Sequence, residues 1–177
     1  MGQDSATQPR IVLDTMGADF SPKNEVQGAV LAQKELGKEI QIILSGDRKM
    51  IESELQSSNI PQDTFTIIDA PDTITMTDEP VAALRTKRES SIVKGLDAVR
   101  TATADAFVSA GNTGAVMSAA TLELGRIKGV SRPTIGSLFP RSMGGYTLVF
   151  DVGATVDAKA HCCGSTPLWQ RCMLVRS

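Results

Sequence analysis

Asp105-Ala106-Phe107-Val108-Ser109-Ala110-Gly111-Asn112-Thr113-Gly114-Ala115 is the stretch that decides the architecture. Ala106, Phe107 and Val108 make a short apolar run that stops at Ser109. Beyond the glycines, Val116, Ala120, Leu124 and Ile127 recur at helical spacing. A strand running through a glycine turn into a helix is the building unit of a parallel sheet covered by helices. Gly111 and Gly114 permit positive φ and close backbone approach. Several amide N–H groups then point at one small volume, and the helix start adds partial positive charge. Such a turn suits an anion, with Ser109, Asn112 and Thr113 able to add side-chain hydrogen bonds. It is not a Walker P-loop, because the Gly-Lys-Ser/Thr ending is absent. A plain strand–helix turn capped by Asn112 or Thr113 explains the same residues, so two readings stand open.

The same alternation extends in both directions. Ile11, Val12 and Leu13 form a buried-strand run ending at Asp14, and a helix follows from about Lys23, after Pro22. Val26, Ala29, Val30 and Leu36 fall at helical spacing there, with Gly37 as a stop. Ile40 to Leu44 reads as a strand. Asp47 opens a helix with Met50, Ile51 and Leu55 inward, and Phe65 to Ile68 is a third strand. Pro71 to Pro80 is too irregular for either period and reads as a loop. Ser90 caps a helix whose Ile92, Val93, Leu96 and Val99 share one face. Thr134 to Phe139 and Thr147 to Phe150 read as further strands, with a turn at Arg141 to Gly145. In parallel sheets ligands bind beyond the carboxyl ends of the strands. That rule selects Asp14–Gly17, Ser109–Gly114 and Asp151–Ala154.

Composition narrows the class. The chain has 177 residues, 41% hydrophobic and 21% charged, with a formal net charge of -2. These are the proportions of a globular domain, without the basic excess of a nucleic-acid binder. Residues 1–9 are polar, lack an apolar core of signal-peptide type, and are expected to be disordered. The apolar runs are strand-sized and far below a membrane span, so a cytoplasmic protein is expected. Cys162, Cys163 and Cys172 sit with His161 near the C-terminus. Adjacent cysteines tend to point apart, so free thiols are expected there and no metal.

Three other segments carry chemical side chains. Asp14-Thr15-Met16-Gly17-Ala18-Asp19 places a carboxylate at a strand end, where it can orient a substrate or hold a cation. A helix-leading turn capped by Asp19 or Ser21 is the alternative. Arg85-Thr86-Lys87-Arg88 sets cations ahead of a helix, for phosphate, an acidic partner, or simply a solvated face. Asp151-Val152-Gly153-Ala154-Thr155-Val156-Asp157 offers a glycine turn with two carboxylates, of a type that sometimes holds Mg²⁺. His161 has no serine and aspartate arrangement to make it a catalytic base.

Taken in order, these segments resemble the phosphate acyltransferase family of fatty acid and phospholipid synthesis. The resemblance rests on Asp14 to Asp19, Ile74-Thr75-Met76-Thr77-Asp78-Glu79-Pro80, Ala83 to Lys87 and Ser90-Ser91. It continues through Asp105 to Ala115, Arg132-Pro133 and Asp151 to Ala154, from about Ile11 to about Ala160. The chain departs from the pattern at Ala18, where a second glycine is usual, near Phe20, where a histidine is usual, and at Thr155, where an asparagine is usual. The resemblance implies a Rossmann-like three-layer α/β/α sandwich related to the isocitrate and isopropylmalate dehydrogenases. It also implies a homodimer and transfer of an acyl group from acyl-[acyl carrier protein] to inorganic phosphate, giving acyl phosphate, with no cofactor and no metal. Peripheral membrane association belongs to the family's C-terminal half. The implied site has Asp14, Lys87 and Asn112 as catalytic residues. Gly17, Arg85, Ser109, Gly111, Thr113, Gly114, Asp151 and Gly153 would bind phosphate or substrate. An NAD-dependent dehydrogenase is the competing activity, but Asp14 to Asp19 supplies one glycine where Gly-x-Gly-x-x-Gly is needed.

After Ala160 the resemblance stops. Residues 161–177 lack any helical or alternating period and hold the single Trp and all three Cys. A shifted reading frame accounts for this. If the Leu168 codon ends in A, Trp169 to Met173 re-reads as Met-Ala-Glu-Val-Tyr, which resembles the family's next helix. Residues 10–160 are thus expected to be the first part of the α/β domain, and 161–177 an aberrant tail on a truncated chain.

Overall fold

The computed structural model describes residues 8–126, 128 and 133–150. Asp151, Gly153, the Cys162–Cys163 pair and the whole predicted tail lie outside the described residues. The chain divides into two compact units, residues 1–124 and 125–177.

The first unit alternates strands and helices. β1 (Arg10–Asp14), α1 (Lys23–Leu36), β2 (Gln41–Gly46), α2 (Arg48–Ser57) and β3 (Thr66–Asp69) follow one another, with a short 3-10 turn at Gln62–Thr64. Then come α3 (Pro80–Thr86), α4 (Ser91–Arg100), β4 (Ala106–Val108) and α5 (Thr113–Glu123). All pairings are parallel and the strand order is β3-β2-β1-β4. The chain steps outward from β1 to β3, then returns to lie on the other side of β1. The strand order therefore reverses between β1 and β4, which opens a crevice beyond their carboxyl ends.

Alternation along β2 builds a core on each face of the sheet. Ile42 and Leu44 pack with Val26 and Ala29 of α1 and Ile51 and Leu55 of α2. Ile43 points the other way and packs with Val12, Ala98 and Ala104. On that second face Ile92, Leu96, Ala115 and Ala119 continue the core under α4 and α5. These are the three layers expected of the sequence. Local caps fix the helix starts. Asp47 accepts the Met50 amide at 3.0 Å, and Glu79 accepts those of Val81 at 3.2 Å and Ala82 at 2.6 Å.

Several local expectations need correction. Met50 is 43% exposed, because only Ile51 and Leu55 of α2 face the sheet. The expected loop from Pro71 ends as helix α3 begins at Pro80, which sits in the first turn, a position that needs no amide; the helix itself has no counterpart among the expected elements. Ser90 occupies the α4 cap position but makes no capping bond, and its buried hydroxyl has no partner among the described residues. On α5 Ala115 and Ala119 are buried, Val116 and Ala120 pack partly buried against the same core, and Leu124 is exposed.

In the second unit, β5 (Gly136–Pro140) and β6 (Tyr146–Phe150) pair antiparallel around a turn closed by Arg141 and Gly145. The two expected strands and the turn are present, as a hairpin rather than as members of the parallel sheet.

Candidate active site

Asp14 ends β1 and Ser109 follows β4, so the reversal of strand order brings two residues 95 positions apart into contact. The Ser109 hydroxyl donates to Asp14 Oδ2 at 2.7 Å, and Asp14 Oδ1 accepts the Met16 amide at 3.0 Å. Asp14 is 1% exposed. Burial raises its pKa, against the opposing effect of hydrogen bonds from Ser91, Ser109 and Met16, and the charge of Glu25 raises it further. Below it lies a layer of buried hydroxyls. Ser45 donates to the Ser91 carbonyl at 3.0 Å, and Thr15 to the Ser45 carbonyl at 3.0 Å.

Ser109 Oγ also accepts the Gly111 amide at 3.1 Å. That amide is therefore satisfied within the turn. The next three, those of Asn112, Thr113 and Gly114, have no acceptor among the described residues. They stand at the start of an eleven-residue helix, where unpaired amides and the helix dipole act together.

The Asn112 side chain is fully committed. Its Oδ1 caps α5 by accepting the Ala115 amide at 3.0 Å, and its Nδ2 donates to the carbonyls of Thr75 at 3.1 Å and Asp78 at 3.2 Å. Asn112 is thus a cap and a clamp. Lys87 is likewise engaged. Its Nζ donates to Asp78 Oδ2 at 2.6 Å and to the Thr73 carbonyl at 2.8 Å, so its charge is already matched. The Lys87 ammonium and the Thr75 amide hold the Asp78 carboxyl below its usual pKa. Arg85, in the last turn of α3, is exposed and carries no ion pair among the described residues.

The glycines serve space more than torsion. Neither Gly111 nor Gly114 adopts a positive φ. A Cβ at Gly114 would meet Pro80 Cγ at 2.8 Å, so this glycine lets the starts of α3 and α5 abut. Gly17 does need its freedom, with φ +85 and the Ile74 carbonyl 2.3 Å from where a Cβ would stand.

Asp14, Gly17, Ser109, Gly111, Asn112, Thr113 and Gly114 therefore converge at the crevice. Lys87 reaches it only through the Thr73–Asp78 loop. Asp78, which anchors that loop, is not among the expected site residues. Its signal was an acid nine residues ahead of Lys87, inside a run of threonines able to bond its carboxylate.

Similar proteins add a family. A phosphate acyltransferase from Halothermothrix orenii is 46% identical over 150 residues, covering 85% of this chain and 44% of the relative. One from Chlorobaculum parvum is 45% identical over 149 residues, covering 84% and 44%. The chain thus spans about half the length of the curated relatives it matches. Among solved structures, a phosphotransacetylase from Streptococcus pyogenes superposes with TM-score 0.65 at 16% identity, over 92% of this chain and 52% of that one. The EutD phosphotransacetylase from Staphylococcus aureus gives 0.61 at 19%, over 90% and 50%. These two likenesses establish the α/β fold. A family model described as "Fatty acid synthesis protein" matches residues 9–163, and with most of its length inside that match the chain belongs to this family.

Proposed function

We propose that this chain carries the phosphate-binding part of a centre that transfers an acyl group from acyl-[acyl carrier protein] to inorganic phosphate. The observation behind this reading is the set of unpaired amides at Asn112, Thr113 and Gly114, at the reversal of strand order beside Asp14 and Ser109. A phosphate oxygen attacks the thioester carbonyl carbon. The carbon–sulfur bond breaks, the thiolate leaves and takes a proton, and acyl phosphate remains. No activated serine is needed, because the phosphate dianion is itself the nucleophile. The protein's tasks are to hold that anion in line and to stabilise the oxyanion that develops. The three amides perform the first, with Arg85 as the cation that balances charge. Asp14 acts through Ser109, fixing the hydroxyl that fixes the Gly111 turn.

The remaining features of this reading come with the family. Asp151 and Gly153 would complete the phosphate loop, and the protein would work as a homodimer without cofactor or metal. The exposed Arg85 and Arg88 suit an acidic carrier protein. No described helix is long and apolar enough to cross a membrane, and we place the protein in the cytoplasm, with membrane association a property of the family's other half. The strand order also suits kinship with the isocitrate and isopropylmalate dehydrogenases.

Thr113→Pro tests the site with little disturbance. Thr113 is the first helical residue, where proline is tolerated, and Asn112 already has the extended ψ of 106 that a following proline requires. The substitution deletes one amide. Phosphate affinity by calorimetry is expected to fall about tenfold or more, as for loss of a hydrogen bond to a charged group. Unchanged affinity would remove the amides from the site. A second reading is a chain that binds phosphate and turns over nothing. Acyl phosphate formation from acyl carrier substrate separates the two.

A further inference from the structure

A cavity of about 480 Å³ opens between the Gly17–Ser21 turn and the Thr73–Thr77 loop. Met16, Met50 and Met76 line it, and the latter two are 43% and 56% exposed. We propose that this cavity takes the acyl chain of the donor and of the acyl phosphate, an assignment that rests on the acyl transfer read above.

Four observations support it. First, the cavity adjoins the anion site, since the Met16 carbonyl lies 3.4 Å from where a Cβ on Gly111 would stand. A hydrocarbon chain bonded to a carbonyl beside the α5 amides therefore has this cavity within reach. Second, the far wall is rigid and tied to the same cap. Asn112 donates to the Thr75 carbonyl, Lys87 to that of Thr73, and Asp78 accepts the Thr75 amide at 2.7 Å. Third, two of the wall's hydroxyls are turned on each other and on Asp78. The Thr75 hydroxyl donates to Asp78 at 3.1 Å, and that of Thr77 pairs with Thr75 at 3.1 Å. The Asp19 carboxylate at the rim disfavours a second anion. Fourth, methionine is unbranched and polarizable, and adapts to flexible hydrocarbon better than shape-fixed side chains do. A pocket lined by three methionines, with the hydroxyls of Thr75 and Thr77 already paired, matches that class of ligand.

The test is calorimetry on the 177-residue chain with inorganic phosphate, butanoyl phosphonate and decanoyl phosphonate. The variants are Met50→Glu, Met76→Glu and the double substitution. Met50 lies in the first turn of α2, where a carboxylate favours the helix, and Met76 is on an exposed loop, so folding is retained. Decanoyl phosphonate is expected to bind the unmodified chain about a hundredfold more tightly than the butanoyl compound, from burial of the extra methylenes. Each single variant should lose about tenfold of that gain, and the double variant most of it, with phosphate and butanoyl phosphonate affinities unchanged. Equal affinity for both chain lengths, or a gain that survives the double substitution, would overturn the assignment. If phosphate alone fails to bind while the gain and its loss in the variants persist, the anion site is wrong and the acyl cavity stands. Absence of binding by all three ligands would remove both.

Discussion

Asp14 is a carboxyl group held where charge is expensive, and its surroundings set the sign of a pH effect. Its folded pKa lies above the ordinary 3.8, so between those two values the folded chain binds more protons than the unfolded one. Stability from this group is full below 3.8 and is lost as pH rises toward the folded value. Asp14→Asn keeps one accepting oxygen for the donors Ser91, Ser109 and Met16, and carries no charge. It is expected to flatten that fall of melting temperature with pH, while weakening phosphate binding through the loosened Ser109–Gly111 turn. A melting profile that falls equally in the variant would show that the burial of Asp14 is relieved in solution. Asn112 illustrates the other kind of residue. Asn112→Ala removes a helix cap and leaves the Asp78 carbonyl without its donor, while that of Thr75 keeps the Asp78 amide, so a loss of about 2 kcal/mol in denaturant unfolding is expected. A loss confined to phosphate affinity would restore the direct contact that its committed side chain argues against.

Elements differ in how far the sequence exposes them. The strands and α1, α2, α4 and α5 are legible because apolar runs and helical spacing are local properties, and Asp47 and Asn112 cap helices with atoms from the same turn. The contact between Asp14 and Ser109 follows from applying the strand-end rule to two segments. Helix α3 is not legible. It has seven residues, two of them buried, and starts inside an irregular stretch. The role of Lys87 is hidden for another reason. A lysine beside two arginines looks like a solvated cation until the Thr73–Asp78 loop folds back on it. The purpose of Gly114 is equally distant, because the Pro80 ring that excludes a Cβ there comes from another helix. On α5 Val116 and Ala120 reach the core as expected, while Ala115 and Ala119 bury more fully because alanines make the adjacent face equally apolar. The hairpin strands are visible as apolar runs, but their antiparallel pairing is a property of the turn between them.

At the scale of the whole molecule, the described sheet ends at β4. Its outer side is paired with no strand among the described residues, and Val108 is 51% exposed. An unpaired apolar edge is a template for a second chain. Sedimentation is therefore expected to show concentration-dependent self-association, reduced by Val108→Lys, since lysine guards an edge strand. Equal association in the variant would assign it to another surface. The central claim concerns the α5 amides, and nuclear magnetic resonance reads each one separately. Titration of the isotope-labelled chain with inorganic phosphate should shift the amide signals of Asn112, Thr113 and Gly114 together along one saturating curve. The Gly111 amide, held by Ser109, should move least of the four. Saturable shifts elsewhere in the chain with these three signals unmoved would contradict the account.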